Sequence, residues 1–485
     1  MAKTFFGSKC AQFMDPVHGG IGALQHEVCC IDHPLFQRLR YIFQNDVAHF
    51  VFPGATQTRF SHSIGVMHLA GRLYRVLIEQ YSAESPESFK YTDDHLDAIY
   101  YIYCCFRLAA LLHDTGHFPF SHEFERTDFI KDILSDVNVL KDFWGKSELY
   151  DKYANRRLSE PDFNATHEDY SLAVAHKILS HAKAQCGLPV EIDDVLCLME
   201  AGSHEFTEKW VKYSGLLFEV FEGCSTTRGQ YNETFIAEGV KKFFSLMISG
   251  EIDVDKMDYL LRDSYFSGAK YGVYNLDHLL STLRAGFNPQ TKWVGVAVLE
   301  KGVVALEDFI YSRFQIYQNM WSHKAVVGNK LLLSDALDSC NKEGFSSELR
   351  EYLTDANKFA FFTDHYFMEI FRKEAIGGNS LAVKNFLFRR KYKLVARLQN
   401  PTEDDIQEKL VALKGVYGDS IKYRKITIKF SKIPDRDYSN IKVITRHNAN
   451  GKRSLVSLKN TSGFFQKFSE VLIVNFYATE QPIKA

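Results

Sequence analysis

The sequence predicts a mainly α-helical protein with a smaller α+β region at its C-terminus. Two observations carry this prediction. Apolar residues recur every three or four positions over most of residues 34–330, which is the period of an amphipathic or buried helix. Segments rich in β-branched residues follow, at 422–430, 440–447, 453–459 and 470–478. We therefore expect a helical domain over residues 1–330 and an α+β region over 331–485.

The helices follow in order along the first 330 residues. Residues 15–34 are rich in Gly, His and Pro and are expected to form loops and short elements, with a helix beginning at Pro34. Residues 95–116 are apolar on most sides, which predicts a buried helix that ends before Pro119. The other predicted helices are 64–78, 168–184, 191–201, 208–222, 234–248, 255–264, 276–285 and 303–326.

Two stretches depart from the helical pattern before residue 330. Residues 126–160 are charged and aromatic with weak helical periodicity, and we interpret them as an insertion. Residues 291–300 alternate, which predicts a strand, the first of a small hairpin. Beyond residue 330, helical segments continue to about residue 414. The basic, aromatic stretch 386–397 is interpreted as a surface helix, with a nucleic-acid contact as the alternative.

Composition narrows the class of protein. The chain has 485 residues, which predicts two to four domains or one large domain with additions, and a net charge of −2. A net charge this close to zero gives no reason to expect that the protein as a whole binds nucleic acid or a membrane surface. The nine cysteines include no Cys-x-x-Cys pair, which predicts reduced thiols. Because no signal peptide or membrane span is recognisable, we expect a soluble cytoplasmic protein.

A dense cluster of titratable residues stands at the end of the predicted buried helix. Residues 111–117 read LLHDTGH, and His122 follows shortly after. His113 and Asp114 side by side offer one nitrogen and one oxygen ligand to a divalent metal ion. An isolated His-Asp pair is common, but three histidines and one aspartate within ten residues favour a functional site, because burying such groups is otherwise costly.

Two further segments carry residues that could complete such a site. Arg59 and His62 are three apart and share a helical face. They are either a solvated charge and a histidine at a helix start, or a phosphate-binding arginine and a metal ligand. Asp255, Tyr259 and Asp263 form a stripe at i, i+4 and i+8 of a predicted helix. The alternative for these acids is a solvated helix start, which the helix dipole favours.

The order His…His-Asp…Asp resembles the metal motif of the HD superfamily. Longer motifs are similar to those of the deoxynucleoside triphosphate (dNTP) triphosphohydrolases, and most of all to the vertebrate SAM-and-HD-domain branch and its bacterial relatives. The resemblance covers roughly residues 10–330, and we expect no SAM domain before it. The motifs are DPVHGGI (15–21), DHPLFQRLRYIFQ (32–44), VFPGATQTRFSHSIGVMHLAG (51–71), LLHDTGHFPFSHEFE (111–125) and IDVDKMDYLLRDS (252–264).

The resemblance implies metal-dependent hydrolysis of dNTPs to deoxynucleoside and inorganic triphosphate. The implied metal ligands are His62, His113, Asp114 and Asp255. Two His and two Asp suit Fe, Mn, Zn or Co, with Mg as a second ion on the phosphates. The 5′-alkoxide is a poor leaving group, so the reaction requires a general acid. His122 matches that position in the family.

Matches to the family motifs imply the remaining site residues. Further catalytic positions fall at His117, Glu125 and His167. The triphosphate would be bound by Arg59, Lys256, Tyr259 and Arg313. The sugar would be bound by Gln44, Asp263, Tyr317 and Trp321. Without the resemblance, core packing explains these aromatic side chains equally well.

The resemblance also implies regulation and assembly. Members of this branch are activated by guanine nucleotide at a subunit interface, and Asp32, Gln37 and Arg40 match the residues that read guanine. The expected partners are therefore a GTP or dGTP activator and further copies of the chain, as a dimer or tetramer. Ala11 and Gln12 depart from the family pattern, so tandem activation by two nucleotides is not expected.

Two other functions stay open on the sequence. An HD phosphodiesterase or nucleotidase would keep the metal site and act on another nucleotide, whereas the three cations Arg59, Lys256 and Arg313 favour a triphosphate. A nucleic-acid-binding regulatory protein would have a degenerate site, yet every ligand position of the motif is filled. A nucleic-acid partner is therefore not favoured.

Overall fold

The computed structural model of the protein confirms a mainly helical fold with small sheets toward the C-terminus. The ends of several predicted strands (291–292, 429–430, 440, 447 and 470) and Cys224 lie outside the described residues. The structure describes residues 7, 10–158, 160, 162–200, 202, 205–222, 232–288, 293–378, 380–390, 392–428, 441–446, 453–464 and 471–478.

The N-terminal part opens with a hairpin and continues as helices. The hairpin strands are β1 (Ala11–Asp15) and β2 (Gly19–Ala23). The helices that follow are α1 (Gln25–Ile31), α2 (Pro34–Gln37), α3 (Arg59–Glu84), α4 (Asp93–Leu112), α5 (His122–Glu125), α6 (Asp128–Leu134), α7 (Val137–Trp144), α8 (Glu148–Tyr153), α9 (Asn155–Leu158), α10 (His167–Cys186), α11 (Ile192–Met199), α12 (Glu208–Glu222), α13 (Glu233–Ile248), α14 (Val254–Ser267) and α15 (Leu276–Thr282).

The rest of the chain adds strands to further helices. The elements in order are β3 (Leu283–Asn288), β4 (Trp293–Leu299), α16 (Val303–Ile316), α17 (Lys324–Cys340), α18 (Phe345–Thr354), α19 (Ala356–Phe359), α20 (Asp364–Ile376), α21 (Leu381–Leu387), β5 (Lys393–Gln399), α22 (Glu403–Tyr417), β6 (Lys422–Ile428), β7 (Ile441–Arg446), β8 (Arg453–Ser457), α23 (Leu458–Thr461) and β9 (Val471–Ala478). The strands form sheets of order β3-β4-β7-β8 and β5-β9-β6.

Helix α4 forms the centre of the N-terminal part. It packs against α3, α11 and α12, and its residues from Tyr101 to Leu112 are all buried. Among the described residues it is the one helix long and apolar enough to cross a membrane, but 83% of its apolar window is buried inside the protein. Its all-round apolar surface is therefore explained by its place in the core.

The turn after α4 differs from the prediction. The helix predicted at 95–116 ends at Leu112, so His113, Asp114 and His117 lie in the turn that follows it and not on the helix. The buried guanidinium of Arg38 donates to the backbone carbonyls of Thr115 (2.9 Å) and His117. Because these carbonyls bind Arg38, the segment after Leu112 becomes a tight turn and the helix stops there.

Two other predicted helices are also shorter than expected. The helix predicted at 276–285 ends at Thr282, because the residues from Leu283 pair with β4. Strand β4 is therefore the second strand of the hairpin and not the first. The helix predicted at 303–326 widens into a π-helical turn over Tyr317–Trp321 before α17 begins.

The interpretation of 386–397 as a surface helix is wrong for most of that stretch. Helix α21 ends at Leu387, and the chain re-enters as strand β5, antiparallel to β9. The partner strand lies about eighty residues further along the chain, and pairing with it decides the conformation of β5. Local periodicity could not reveal that pairing.

The predicted insertion 126–160 is a layer of short helices, α6 to α9. Its aromatic side chains enter the main core, where the Phe143 ring lies 4.8 Å from the Tyr170 ring and 5.1 Å from the Phe359 ring. The predicted domain boundary at residue 330 falls inside α17, and β4 pairs in parallel with β7. The helical part and the C-terminal part therefore share one sheet and one apolar core.

We expect Gly116→Ala to destabilise the fold. A Cβ atom at residue 116 would lie 2.1 Å from the backbone nitrogen of Ser171, so helix α10 would have to move. Overpacking of this kind costs about 1–3 kcal/mol or more. The measurement is the free energy of unfolding in denaturant, with Gly415→Ala as control. Residue 415 has open space around it within α22, and that change should stabilise by about 0.5–1 kcal/mol. Equal stability of the two variants would contradict this packing.

Candidate metal centre and nucleotide cavity

One cavity of about 1420 Å³ brings most of the predicted site residues together. Its volume exceeds that of an ordinary small-molecule pocket, so a nucleoside triphosphate fits. His62, Glu125 and Asp263 lie directly behind its wall, each in contact with a lining residue. The predicted residues that line it are Gln44, Arg59, His113, Asp114, His117, His122, His167, Asp255, Lys256, Tyr259, Arg313, Tyr317 and Trp321.

The four predicted metal ligands converge at one end of this cavity. His62 Nε2 lies 3.0 Å from Asp255 Oδ1, and His113 Nε2 lies 3.7 Å from the same oxygen. Asp114 Oδ1 is 3.5 Å from His113 Nε2. Both Nε2 atoms are buried without a hydrogen-bond partner. A buried imidazole nitrogen left unpaired is costly, so the donor set fits a divalent cation between these groups.

The second nitrogen of each histidine is already engaged. His62 Nδ1 donates to Asp258 Oδ2 over 2.8 Å, and His113 Nδ1 donates to the carbonyl of Ala110 over 2.8 Å. These bonds fix the ring orientation and leave Nε2 as the atom of each ring that is available to a metal ion. Metal-binding histidines commonly have such a partner behind them.

The electrostatics of the group also fit a cation. Burial disfavours a charged His62, yet the nearby carboxylates of Asp255 and Asp258 raise its pKa to about 10. Burial likewise opposes ionisation of Asp255, yet the two histidines lower its pKa well below the usual value. Protons on the imidazoles therefore balance the carboxylate charge. A metal ion would take over that role and release the protons.

Asp258 organises the layer behind His62 and was not predicted as a site residue. Besides His62, it accepts from His18 Nε2 over 2.7 Å and from Arg262 Nε over 2.8 Å. Arg262 also donates to Asp15 Oδ2 over 2.7 Å, which links α14 to the β1–β2 hairpin. Two features of the sequence could have indicated this role of Asp258. They are the i, i+4 spacing of Asp258 and Arg262 and the polar residues of the segment DPVHGGI.

Arg59, the predicted phosphate-binding arginine, is partnered within the protein. Its guanidinium donates to Asp114 Oδ2 and to Ser121 Oγ, the latter over 3.1 Å from Nε and 2.9 Å from Nη2. Arg59 therefore orients a predicted metal ligand and the turn before His122. Its place on the cavity wall also allows contact with a phosphate.

Three histidines and a glutamate form a second cluster beside the metal ligands. The rings of His117 and His167 are stacked at 3.8 Å, and the His122 ring lies 5.1 and 5.0 Å from them. Glu125 accepts from His167 Nδ1 over 2.9 Å and lies 3.4 Å from His122 Nδ1. The side chain of His122 is 56% exposed, so it can approach a bound ligand.

The environment separates the pKa values of this cluster. Burial and the nearby Arg59 guanidinium lower the pKa of His117 well below its usual value. The pKa of His122 is also lowered, because the protein atoms packed around the cavity partly desolvate its exposed ring, against the effect of Glu125. In His167, burial disfavours the charged ring, but the hydrogen bond to Glu125 and the charges of Glu125, Asp114 and Glu168 together raise the pKa. Groups of the same type thus have different proton affinities, a pattern common in catalytic sites.

The turn that presents His122 is strained. Phe120 and Ser121 have backbone φ angles of +54° and +51°, in the left-handed region that residues other than glycine rarely adopt. Such strain costs about 1–3 kcal/mol per residue and persists only where surrounding contacts impose it. Asp364 imposes it here, since it accepts from the backbone N–H of Phe120 over 2.7 Å and of Phe43 over 2.9 Å. Burial raises the pKa of Asp364 to about 7.

The predicted phosphate-binding cations Lys256 and Arg313 also line the cavity. Lys256 Nζ donates to Asp253 Oδ2 over 2.5 Å, and Arg313 Nη1 lies 3.4 Å from Glu251 Oε1. Both side chains line the cavity together with Tyr259. Each cation therefore has an acidic partner with which a triphosphate would compete.

The predicted sugar-binding residues divide into two groups. Gln44, Tyr317 and Trp321 line the cavity. Asp263 does not: it is fully buried and accepts from Gln57 Nε2 over 2.8 Å and from Trp321 Nε1 over 3.1 Å. Burial raises its pKa to about 6. Asp263 therefore orients the indole ring of Trp321 in this structure.

The predicted guanine-reading residues lie on the surface away from the cavity. Asp32 and Arg40 are exposed and Gln37 is half-buried. Arg40 Nε donates to Gln37 Oε1 over 2.7 Å, and the Arg40 guanidinium lies 3.5 Å from the centre of the Phe60 ring. Their role stays a prediction.

Comparison with known proteins assigns the domain type. The HD domain signature matches residues 59–192, so the chain carries an HD domain. Over 370 residues it is 30% identical to "Deoxynucleoside triphosphate triphosphohydrolase SAMHD1" of Gallus gallus, covering 74% of this chain and 51% of that protein. It is 28% identical to the protein of the same name from Danio rerio, covering 82% and 58%. The chain thus spans between half and three fifths of these relatives.

Relatives also occur in bacteria. "Uncharacterized protein YwfO" of Bacillus subtilis is 27% identical over 326 residues, covering 67% of this chain and 54% of that protein. The crystal structure of a hypothetical protein from Aquifex aeolicus superposes with a TM-score of 0.60 at 23% identity, covering 97% of this chain and 96% of the other. That similarity extends the shared fold beyond the HD domain to nearly the whole chain.

Asp258→Asn is expected to weaken metal binding. An amide cannot match a carboxylate as acceptor for His62 Nδ1, so the ring loses its fixed orientation. Loss of such a partner typically lowers metal affinity about 10–100-fold. The measurement is metal content by mass spectrometry and affinity by calorimetry, after circular dichroism has shown a folded variant. Asp277→Asn is the control, because Asp277 pairs with Arg72 at the surface. Unchanged affinity in folded Asp258→Asn would refute this role.

Proposed function

We propose that the protein is an HD-type phosphohydrolase that cleaves dNTPs to a deoxynucleoside and inorganic triphosphate. The observation that carries this proposal is the convergence of two unpartnered imidazole nitrogens, of His62 and His113, with two carboxylates at one end of a nucleotide-sized cavity. The HD domain and the relatives named dNTP triphosphohydrolases support the same reaction.

A divalent metal would be held by His62, His113, Asp114 and Asp255. When bound, such an ion acidifies water and polarises the α-phosphate. Fe, Mn, Zn or Co suit this mixed nitrogen and oxygen donor set, with Mg as a second ion on the phosphates. Arg59 donates to Asp114 Oδ2 and would limit the movement of that carboxylate when it holds the ion.

His122 is proposed as the general acid for the leaving 5′-oxygen. Glu125 is 3.4 Å from its Nδ1, which leaves Nε2 as the nitrogen that can donate a proton. Glu125 raises the pKa of His167, which favours its cationic form and suits it to bind a phosphate oxygen. The lowered pKa of His117 keeps that ring neutral, so it can orient His122 or water without adding charge.

Other residues that line the cavity would bind the rest of the nucleotide. Lys256, Arg313 and Tyr259 would contact the triphosphate, and a bound triphosphate would displace the acids that now pair with the two cations. Gln44, Tyr317 and Trp321 would contact the sugar. Asp263, predicted as a direct sugar ligand, would act through Trp321.

The proposed regulation uses the surface away from the cavity. Asp32, Gln37 and Arg40 would read the guanine of a GTP or dGTP activator within a homo-oligomer, either a dimer or a tetramer. Their surface position leaves them accessible to a second subunit. A cytoplasmic location, suggested by the cysteine pattern, also stays a prediction.

Product analysis tests the reaction itself. Each dNTP and NTP is incubated with the protein and Mg²⁺ or Mn²⁺, with and without GTP, and the products are separated by ion exchange. We expect deoxynucleoside and intact triphosphate, with a gain in rate on adding guanine nucleotide. Monophosphate and pyrophosphate, or no turnover, would favour a phosphodiesterase or a binding protein. His113→Ala should abolish both metal binding and turnover.

His122→Gln tests the proton donor. We expect kcat to fall by a factor on the order of 10²–10⁴ with metal content retained. An acid must be protonated to act, so wild-type kcat should decline as the pH rises through the lowered His122 pKa, and this alkaline limb should vanish in the variant. His278→Gln, at an exposed position, is the control. Full activity of His122→Gln would rule out this assignment.

A further inference from the structure

The C-terminal sheet contributes to the wall of the cavity. Strand β6 lies 300 residues after His122 in the sequence, yet its residues Arg424 to Thr427 line the same cavity. The family-like motifs end before residue 330, so none of them includes this strand. Strand β6 therefore lies in the wall of the cavity that also contains the histidine cluster, where its side chains can influence the site.

Glu123 connects strand β6 to the short helix α5, which carries His122. Its side chain is only 2% exposed and pairs with the guanidinium groups of Arg424 and Arg126, the latter over 2.6 Å. Lys330 Nζ of α17 lies 3.6 Å from Glu123 Oε1. Burial opposes ionisation, but these cations lower the pKa of Glu123 to about 2. Glu123 is therefore a permanently charged, buried anchor.

The orientation of His122 depends on such anchors. Helix α5, which carries it, has four residues, and a helix of that length is not stable alone. The chain enters α5 through the strained residues Phe120 and Ser121. His122 lines the cavity with Glu125 behind it. Glu123, which also lines the cavity, pairs with Arg424 of the C-terminal sheet. Any shift of Glu123 is therefore transmitted to His122 across one peptide bond.

The same cluster extends to the predicted sugar-binding segment. Lys330 Nζ also pairs with Asp46 Oδ2 over 2.9 Å. Asp46 has φ of +41° and directly follows Gln44 and Asn45, which line the cavity. One buried set of charges thus ties two cavity segments to β6.

We propose that Arg424 is a positioning residue for His122, and that the C-terminal sheet is thereby an integral part of the active site. An exposed ion pair contributes little to stability or geometry. The Arg424–Glu123 pair differs because its carboxylate is buried, and removal of one cation leaves that charge less compensated. The effect on turnover rests on the proposed function, whereas the effect on the geometry of α5 does not.

The kinetic test compares Arg424→Met with Arg424→Lys. We expect kcat of Arg424→Met to fall on the order of tenfold with KM and metal content unchanged, because a displaced acid impairs the chemical step and not substrate binding. Arg424→Lys retains a cation and should recover most of the activity. The control is Lys422→Met on the same strand, which removes the ion pair with Asp335 of α17 and lies outside the cavity. It should keep wild-type kcat.

A double variant tests whether Arg424 acts through Glu123. Glu123→Gln alone should reproduce the loss in kcat, and Arg424→Met with Glu123→Gln should be no worse than either single change. Non-additive effects are the signature of coupled residues. Multiplied losses would show that the two residues act independently, and would overturn the proposal.

Hydrogen exchange gives a readout that does not need activity. In Arg424→Met, amides of residues 118–126 should exchange faster, while those of α4 and α10 stay as in wild type. Unchanged exchange in 118–126, or the same change in Lys422→Met, would overturn the proposal. If the wild-type protein cleaves no dNTP, the proposed function fails on that result alone, and the exchange data still decide whether Arg424 positions α5.

Discussion

The burial of two imidazole rings against carboxylates is the interaction on which the rest of the site depends. The His62 side chain is fully buried and that of His113 is only 12% exposed, so each ring needs a fixed partner at Nδ1 and a group of opposite charge near Nε2. For His62 the Nδ1 partner is Asp258, which in turn needs the donors His18 and Arg262 around it. The N-terminal hairpin, α3 and α14 are thereby held in one arrangement. A metal site of this kind is built from the layer behind the ligands as much as from the ligands.

A second constraint is the strained turn that carries the histidine cluster. Left-handed backbone at Phe120 and Ser121 persists because Asp364 binds the Phe120 amide and Arg59 binds the Ser121 hydroxyl. Arg38 similarly holds the carbonyls of the turn after α4. These anchors come from distant parts of the chain, which explains how a short, irregular segment can present His122 reproducibly. The strain is balanced by buried, charge-assisted hydrogen bonds.

The C-terminal part belongs to the same folding unit as the HD domain. Strand β7 extends the sheet of β4, and one apolar core runs through both parts. Similarity to the Aquifex aeolicus structure over nearly the whole chain fits this continuity. Because residues of both parts pack in that shared core, removal of residues 331–485 would expose apolar surface, although a second, smaller cluster of Ile406, Val474 and Phe476 lies wholly within the C-terminal part. Strand β6 also contributes the Arg424 guanidinium to the cavity wall, so loss of the C-terminal part would remove a charged group that pairs with Glu123 as well as apolar packing.

The sequence by itself determined the helical class and most helix positions between residues 59 and 267, because helical periodicity is a local property. Its resemblance to a family motif also predicted the four candidate metal ligands. Only the tertiary structure decided where α4 stops, that residues 393–399 form a strand, and that Asp258, Asp364 and Glu123 support the site. Each of these depends on a partner that is remote in sequence. The end of α4 depends on Arg38, and the strand at 393–399 depends on pairing with β9. Asp258, Asp364 and Glu123 contact His62, Phe120 and Arg424 respectively. Local patterns carry no information on such partners, because burial and pairing arise only once the chain has folded.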